Sequence, residues 1–110
     1  MVDVPVVEAI RHYLRVLPEE GIHASRAVLF GSFARGEAKE TSDIDVVVIA
    51  REFDGPRNRR LIERLWIARA LADTRIEPIP CGEREWETEG GRPILDIARR
   101  EGLVIGVVSP

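Results

Sequence analysis

Two aspartates two residues apart, Asp43 and Asp45, head the run Asp43-Ile44-Asp45-Val46-Val47-Val48-Ile49. Strand side chains alternate between faces, so a strand here puts both carboxylates on one face, about 7 Å apart along the chain. Two anions at that spacing repel by about 0.6 kcal/mol in water and about 2.4 kcal/mol at an effective dielectric near 20. Each aspartate also lowers strand propensity. A divalent cation reverses the sign of the arrangement, because Mg²⁺ is held by one or two carboxylates together with phosphate oxygens and waters. Without one, Asp43 reads as a cap on the Thr41-Ser42 turn and Asp45 as a frayed strand end.

Upstream, Gly31-Ser32 follows the apolar run Ala27-Val28-Leu29-Phe30 and opens Ser32-Phe33-Ala34-Arg35. At a strand-to-helix junction a glycine and a serine leave backbone N–H groups and a hydroxyl free to hold an anion. A plain turn has the same local sequence. Arg35 and Lys39 lie within reach of either a phosphate or solvent. Downstream, Glu77 falls inside Thr74-Arg75-Ile76-Glu77-Pro78-Ile79, where an ionisable side chain must face solvent, a partner or a metal. Asp73, at the exit of the preceding helix, is the competing acid.

Taken together these residues fit a two-metal phosphoryl-transfer site. Such sites use carboxylates from adjacent strands to hold cations about 3.5 to 4 Å apart. One ion lowers the pKa of an attacking hydroxyl, and the other neutralises charge on the phosphate and leaving group. The catalytic and metal-ligating candidates are Asp43, Asp45 and Glu77. Gly31 and Ser32, with Arg35 nearby, are the candidates to cradle a nucleoside triphosphate.

Those residues need a scaffold, and the hydrophobic pattern predicts one. Val6, Val7, Ile10, Tyr13, Leu14 and Leu17 recur at helical spacing, with Asp3 as N-cap, Pro5 in the first turn, and Pro18 and Gly21 at the far end. Ala27 to Phe30 and Asp43 to Ile49 read as buried strands, the second central in the sheet. After the Asp54-Gly55-Pro56 turn, Leu61, Leu65, Ala68 and Ala72 line a helix from about 57 to 72. Trp66 falls outside that stripe, among arginines, where it suits packing or a protein interface. A third strand from Arg75 to Ile79 ends at Pro78 and Pro80. A short acidic helix at 83–87, a helix at 93–100 and an apolar edge segment, Leu103 to Val108, complete the pattern. The expected fold is a single α/β (α+β) domain over residues 1–110, a mixed sheet of three or four strands flanked by helices.

Composition narrows the rest. The chain has 110 residues, 45% hydrophobic and 32% charged, with a net charge of −3, which describes an ordinary globular domain. An acidic chain with 5% aromatics is a poor duplex-nucleic-acid binder, since phosphate neutralisation drives that affinity. Charge is nonetheless uneven: residues 51–70 carry +3 and residues 77–89 carry −4. The longest apolar run is far short of a membrane span. The N-terminus lacks secretory features, and the lone Cys81 excludes a disulfide framework. A cytoplasmic location is expected. His12 and His23 share no metal spacing, and nothing near Cys81 in the sequence would activate it.

The spacing also resembles a known family. Gly31-Ser32, ten residues, then Asp43-Ile44-Asp45 is similar to the signature of the DNA polymerase β-like nucleotidyltransferase superfamily. The fuller string, Gly31-Ser32-Phe33-Ala34-Arg35-Gly36 through Ser42-Asp43-Ile44-Asp45-Val46, resembles its minimal nucleotidyltransferase (MntA-like antitoxin) branch. The resemblance implies a polymerase β palm-like core, Asp43 and Asp45 as Mg²⁺ ligands, and Gly31 and Ser32 at the triphosphate. The third acid of that family falls best on Glu77, at a position that is more often aspartate. It further implies transfer of AMP from ATP to a hydroxyl of a HEPN-type helical partner in a toxin-antitoxin pair. A non-catalytic antitoxin that covers its partner's active site is the alternative. The acceptor surface is expected from a partner protein, a second copy in a homo-oligomer, or the substrate itself.

Overall fold

The computed structural model of the chain describes residues 3–88 and 90–107. Asp3 accepts the Val6 N–H at 3.2 Å, so α1 (Val4–Val16) starts with the expected side-chain cap and first-turn proline. Val6, Ile10, Tyr13 and Leu14 form its buried stripe; each large apolar side chain removed from water contributes about 1.5–3 kcal/mol. The chain continues as β1 (Ala24–Phe30), α2 (Ser32–Arg35), β2 (Ile44–Ala50), α3 (Arg59–Ala68), β3 (Ile76–Cys81), α4 (Glu83–Glu87), α5 (Pro93–Glu101) and β4 (Leu103–Gly106).

The four strands form one mixed sheet in the order β3-β2-β1-β4. β1 runs antiparallel to β2 and β4, whereas β2 and β3 are parallel. A parallel pair needs a crossover connection, and α3 supplies it. Both sheet faces are covered. Val46 and Val48 pack with α1 and α3 residues such as Ile10, Leu14 and Leu65. Val47 and Ile49 pack on the other side with Leu95 and Ala98 of α5. Burial on both faces is why β2 is apolar at every position after Asp45. The result is the expected α+β architecture.

Several boundaries differ from the sequence expectation, among them the start of β1, at Ala24 rather than Ala27. β2 begins at Ile44, so Asp43 stands one residue ahead of the strand. The α-helix after the 54–56 turn covers only Arg59–Ala68, because Asn58 rather than Pro56 opens it, accepting the Leu61 N–H at 3.1 Å. Residues Arg69–Leu71 tighten into a single 3-10 turn. β3 runs through both prolines to Cys81 instead of stopping at them. It lies at the sheet edge with β2 as its one neighbour. Alternate residues of such a strand turn their N–H groups outward, and Pro78 and Pro80, two apart, share that phase. Cys81 is therefore a buried strand residue. The edge segment read at 103–108 is β4 at Leu103–Gly106; Val108 lies outside the described residues. Among the described residues no helix is long and apolar enough to cross a membrane.

Candidate functional site

Register places the acids. Asp45 is paired with Phe30 of β1 on one side and with Glu77 of β3 on the other. Neighbouring strands lie about 5 Å apart, and paired residues project from the same face. Asp45 shares its strand phase with Val47 and Ile49, and Glu77 shares its phase with Ile79 and Cys81. All four of those residues pack on the α5 side of the sheet. Both carboxylates therefore emerge on that side, where β2 and β3 begin and β1 ends. Asp43 is exposed just ahead of β2.

The three acids feel one another. Burial raises the Asp45 pKa above the ordinary aspartate value; the Asp43 charge adds to this, Arg35 opposes it and Glu101 adds again. The Glu77 carboxyl is likewise raised, first by burial, then by Asp43 and Asp45, with a carboxyl–carboxyl hydrogen bond to Asp43, against an opposing Arg69. Asp73 differs. Arg75 donates to it from Nε at 3.1 Å, from Nη2 at 2.8 Å and from its backbone N–H at 2.9 Å. These bonds, the Arg75 side chain foremost, hold the Asp73 pKa below its usual range. Asp73 is thus committed to its own turn.

The Gly31-Ser32 turn abuts Asp45. Gly31 adopts φ 76°, ψ −153°, backbone that L side chains rarely enter. A Cβ added there would lie 3.2 Å from the Asp45 Cγ and closer still to its Oδ2. Glycine is required both by the turn and by the carboxylate beside it. Gly31, Ser32, Arg35, Ser42, Asp43, Asp45 and Glu101 line an open cleft of about 440 Å³, with Phe30, Ile94 and Ile97 as its apolar wall. Glu77 is not part of that lining; it stands on the β3 side of Asp45.

Two contributors escaped the sequence reading. Glu101, at the end of α5, accepts the Gly31 N–H at 3.0 Å and Arg35 Nη1 at 3.1 and 3.3 Å. Arg35 also pairs with Glu37. Arg69 donates from Nη1 to the carbonyls of Thr74 at 2.8 Å and Ile76 at 3.0 Å, with its guanidinium 4.9 Å from the Trp66 ring centre. No local spacing signals Glu101, which is 70 positions from Gly31. The remaining candidates stand apart. Lys39 and His12 are exposed, and His23 pairs with Glu52 at 3.0 Å. Burial pushes the Cys81 thiol up to about 12.

The donor set suits a hard divalent cation. Its candidate ligands are oxygens only, and two of the carboxylates are raised first by burial and then by neighbouring carboxylate charge, which a cation offsets. Among the described residues no three acidic, histidine or cysteine side chains close into a ready-made cage. Mg²⁺ does not require one, since it keeps several waters and takes one or two carboxylates plus substrate phosphates.

Comparison with known proteins agrees with this geometry. The nucleotidyltransferase domain family profile matches residues 10–90. A Methanocaldococcus jannaschii protein named "putative protein adenylyltransferase" is 36% identical over 55 residues, covering 49% of this chain and 56% of that protein. The alignment thus spans about half the length of either. A Sulfolobus solfataricus crystal structure titled "putative nucleotidyltransferase" superposes with a TM-score of 0.65 at 15% identity, covering 94% of this chain and 86% of the other. It shares the fold.

Proposed function

Since the chain belongs to the nucleotidyltransferase domain family, we propose that it transfers a nucleoside monophosphate, AMP from ATP, onto a hydroxyl of a partner protein. The observation that carries this reading is the pairing of Asp45 with Glu77 across parallel strands, with Asp43 beside them and the Gly31 turn packed against Asp45. In this reading Asp43, Asp45 and Glu77 hold Mg²⁺. When bound, the metal activates the attacking hydroxyl and offsets charge on the phosphates.

The chain's own residues do the rest. The Gly31 N–H, the Ser32 hydroxyl and the Arg35 guanidinium bind the triphosphate and aim its α-phosphate at the acids. The acceptor hydroxyl attacks the α-phosphorus in line, the bond to the bridging oxygen breaks, and pyrophosphate leaves. Glu77 or Asp45 assists removal of the hydroxyl proton. The open cleft leaves the acceptor free to bring its own surface. A protein acceptor also suits Trp66, Ile67 and Leu71, large apolar side chains exposed on and after α3. By resemblance to the minimal branch, the partner is a HEPN-type helical protein, the pair is a toxin and its antitoxin, and the setting is the cytoplasm.

The test is transfer of label from α-³²P ATP in lysate of the source cell with Mg²⁺, comparing wild type with Asp43→Asn/Asp45→Asn. A labelled protein band with wild type only is expected. No band with either, together with a stable complex pulled down by both, would replace the enzyme by a non-catalytic antitoxin.

A further inference from the structure

Glu101 stands out once the cleft is read as the triphosphate site, and the role assigned to it rests on that reading. Its carboxylate sits on the same two donors assigned to a phosphate, the Gly31 N–H at 3.0 Å and the Arg35 guanidinium at 3.1 and 3.3 Å. Carboxylate and phosphate oxygens are both anionic acceptors and compete for such donors. Its place in the chain is otherwise unfavourable: it is the last residue of α5, where the helix dipole disfavours an anion. It also faces Asp45, whose charge it opposes. Gly31 is buried, so its N–H needs an acceptor at all times, and Glu101 supplies one.

We propose that Glu101 is an affinity-setting residue of the nucleotide site, its carboxylate occupying the seat of a phosphate on Gly31 and Arg35 and leaving when the triphosphate enters. Two anions cannot share one N–H and one guanidinium face. Nucleotide therefore binds the fraction of molecules in which the seat is open, and its apparent dissociation constant is raised by that fraction.

Calorimetric titration with Mg²⁺ and α,β-methylene ATP, which cannot release pyrophosphate, measures this directly. Glu101→Gln should tighten binding roughly tenfold, the factor for a seat open about a tenth of the time. Glu101→Asp keeps the charge but is one methylene short of both donors, and should also tighten binding. Glu37→Gln removes a different partner of Arg35 and should leave affinity within about twofold of wild type, whereas a general charge effect would move it as far as Glu101→Gln. Unchanged or weaker binding in both Glu101 variants, with melting temperatures near wild type, overturns the proposal. Equal gains in Glu37→Gln and Glu101→Gln, with none in Glu101→Asp, overturn it as well. If neither wild type nor any variant binds the analogue, the triphosphate reading of the cleft falls first and takes the proposal with it.

Discussion

Replacing Gly31 with alanine tests how the turn and the acid pair are built together. Gly31 sits at φ 76°, ψ −153°, a region almost reserved for glycine, where an L side chain costs about 1–3 kcal/mol. The new methyl would also press on the Asp45 carboxylate, 3.2 Å from its Cγ, and either the turn or Asp45 must move. For a domain of this size a loss of about 1–3 kcal/mol lowers the melting temperature by roughly 5–15 °C. A shift of Asp45 by about 1 Å relative to its partners is enough to reduce transfer about 10²-fold. The two effects separate in a double-mutant cycle read by urea unfolding. In an Asp45→Ala background the obstructing carboxylate is gone and only the backbone strain remains. Gly31→Ala should then cost at least about 0.5 kcal/mol less than in wild type. An equal cost in both backgrounds would refute the close approach as the reason for glycine. A Gly31→Ala melting temperature within about 1 °C of wild type would refute the strain argument too.

Asp43→Asn and Asp45→Asn should each abolish nucleotidyl transfer. In chelator at pH 7 both should melt at or slightly above wild type, because each removes a charge that raises its neighbours; full activity in either would remove the carboxylate mechanism. Because the folded pKa values of Asp45 and Glu77 lie above their unfolded values, the folded state binds protons more tightly. Their contribution is present at acid pH and is lost as pH rises through the folded values. Added Mg²⁺ should therefore raise the melting temperature more at pH 7 than at pH 4; an equal rise at both would place cation binding elsewhere. The Cys81 thiol, buried and raised to about 12, should react with a thiol reagent at pH 8 only after denaturation, and rapid reaction of native protein would contradict its place in β3.

Much of the site is local and so was legible in the chain. The Asp-x-Asp step at the head of an apolar run and the Gly31-Ser32 junction at the end of another are both local, although Asp43 itself stands one residue ahead of β2. The helix caps and apolar stripes were readable for the same reason, since each depends on residues within a turn or two. Where local reading went astray, the sheet was the main cause. Prolines read as the end of a strand when β3 simply has an outward-facing edge for them, and the extent of α3 depended on which residue capped its start.

Glu77 was named from the sequence, but its position beside Asp45, like the whole role of Glu101, was decided by tertiary structure. Glu77 reaches Asp45 because β2 and β3 lie side by side in parallel with Asp45 opposite Glu77, a register fixed by burying alternate residues of both strands on two covered faces. Glu101 reaches Gly31 because α5 packs across the same face and ends at that turn. Sequence spacing encodes what a single element can bring together. The distance between elements is set by how their apolar faces close over one another, and no spacing in the chain records it.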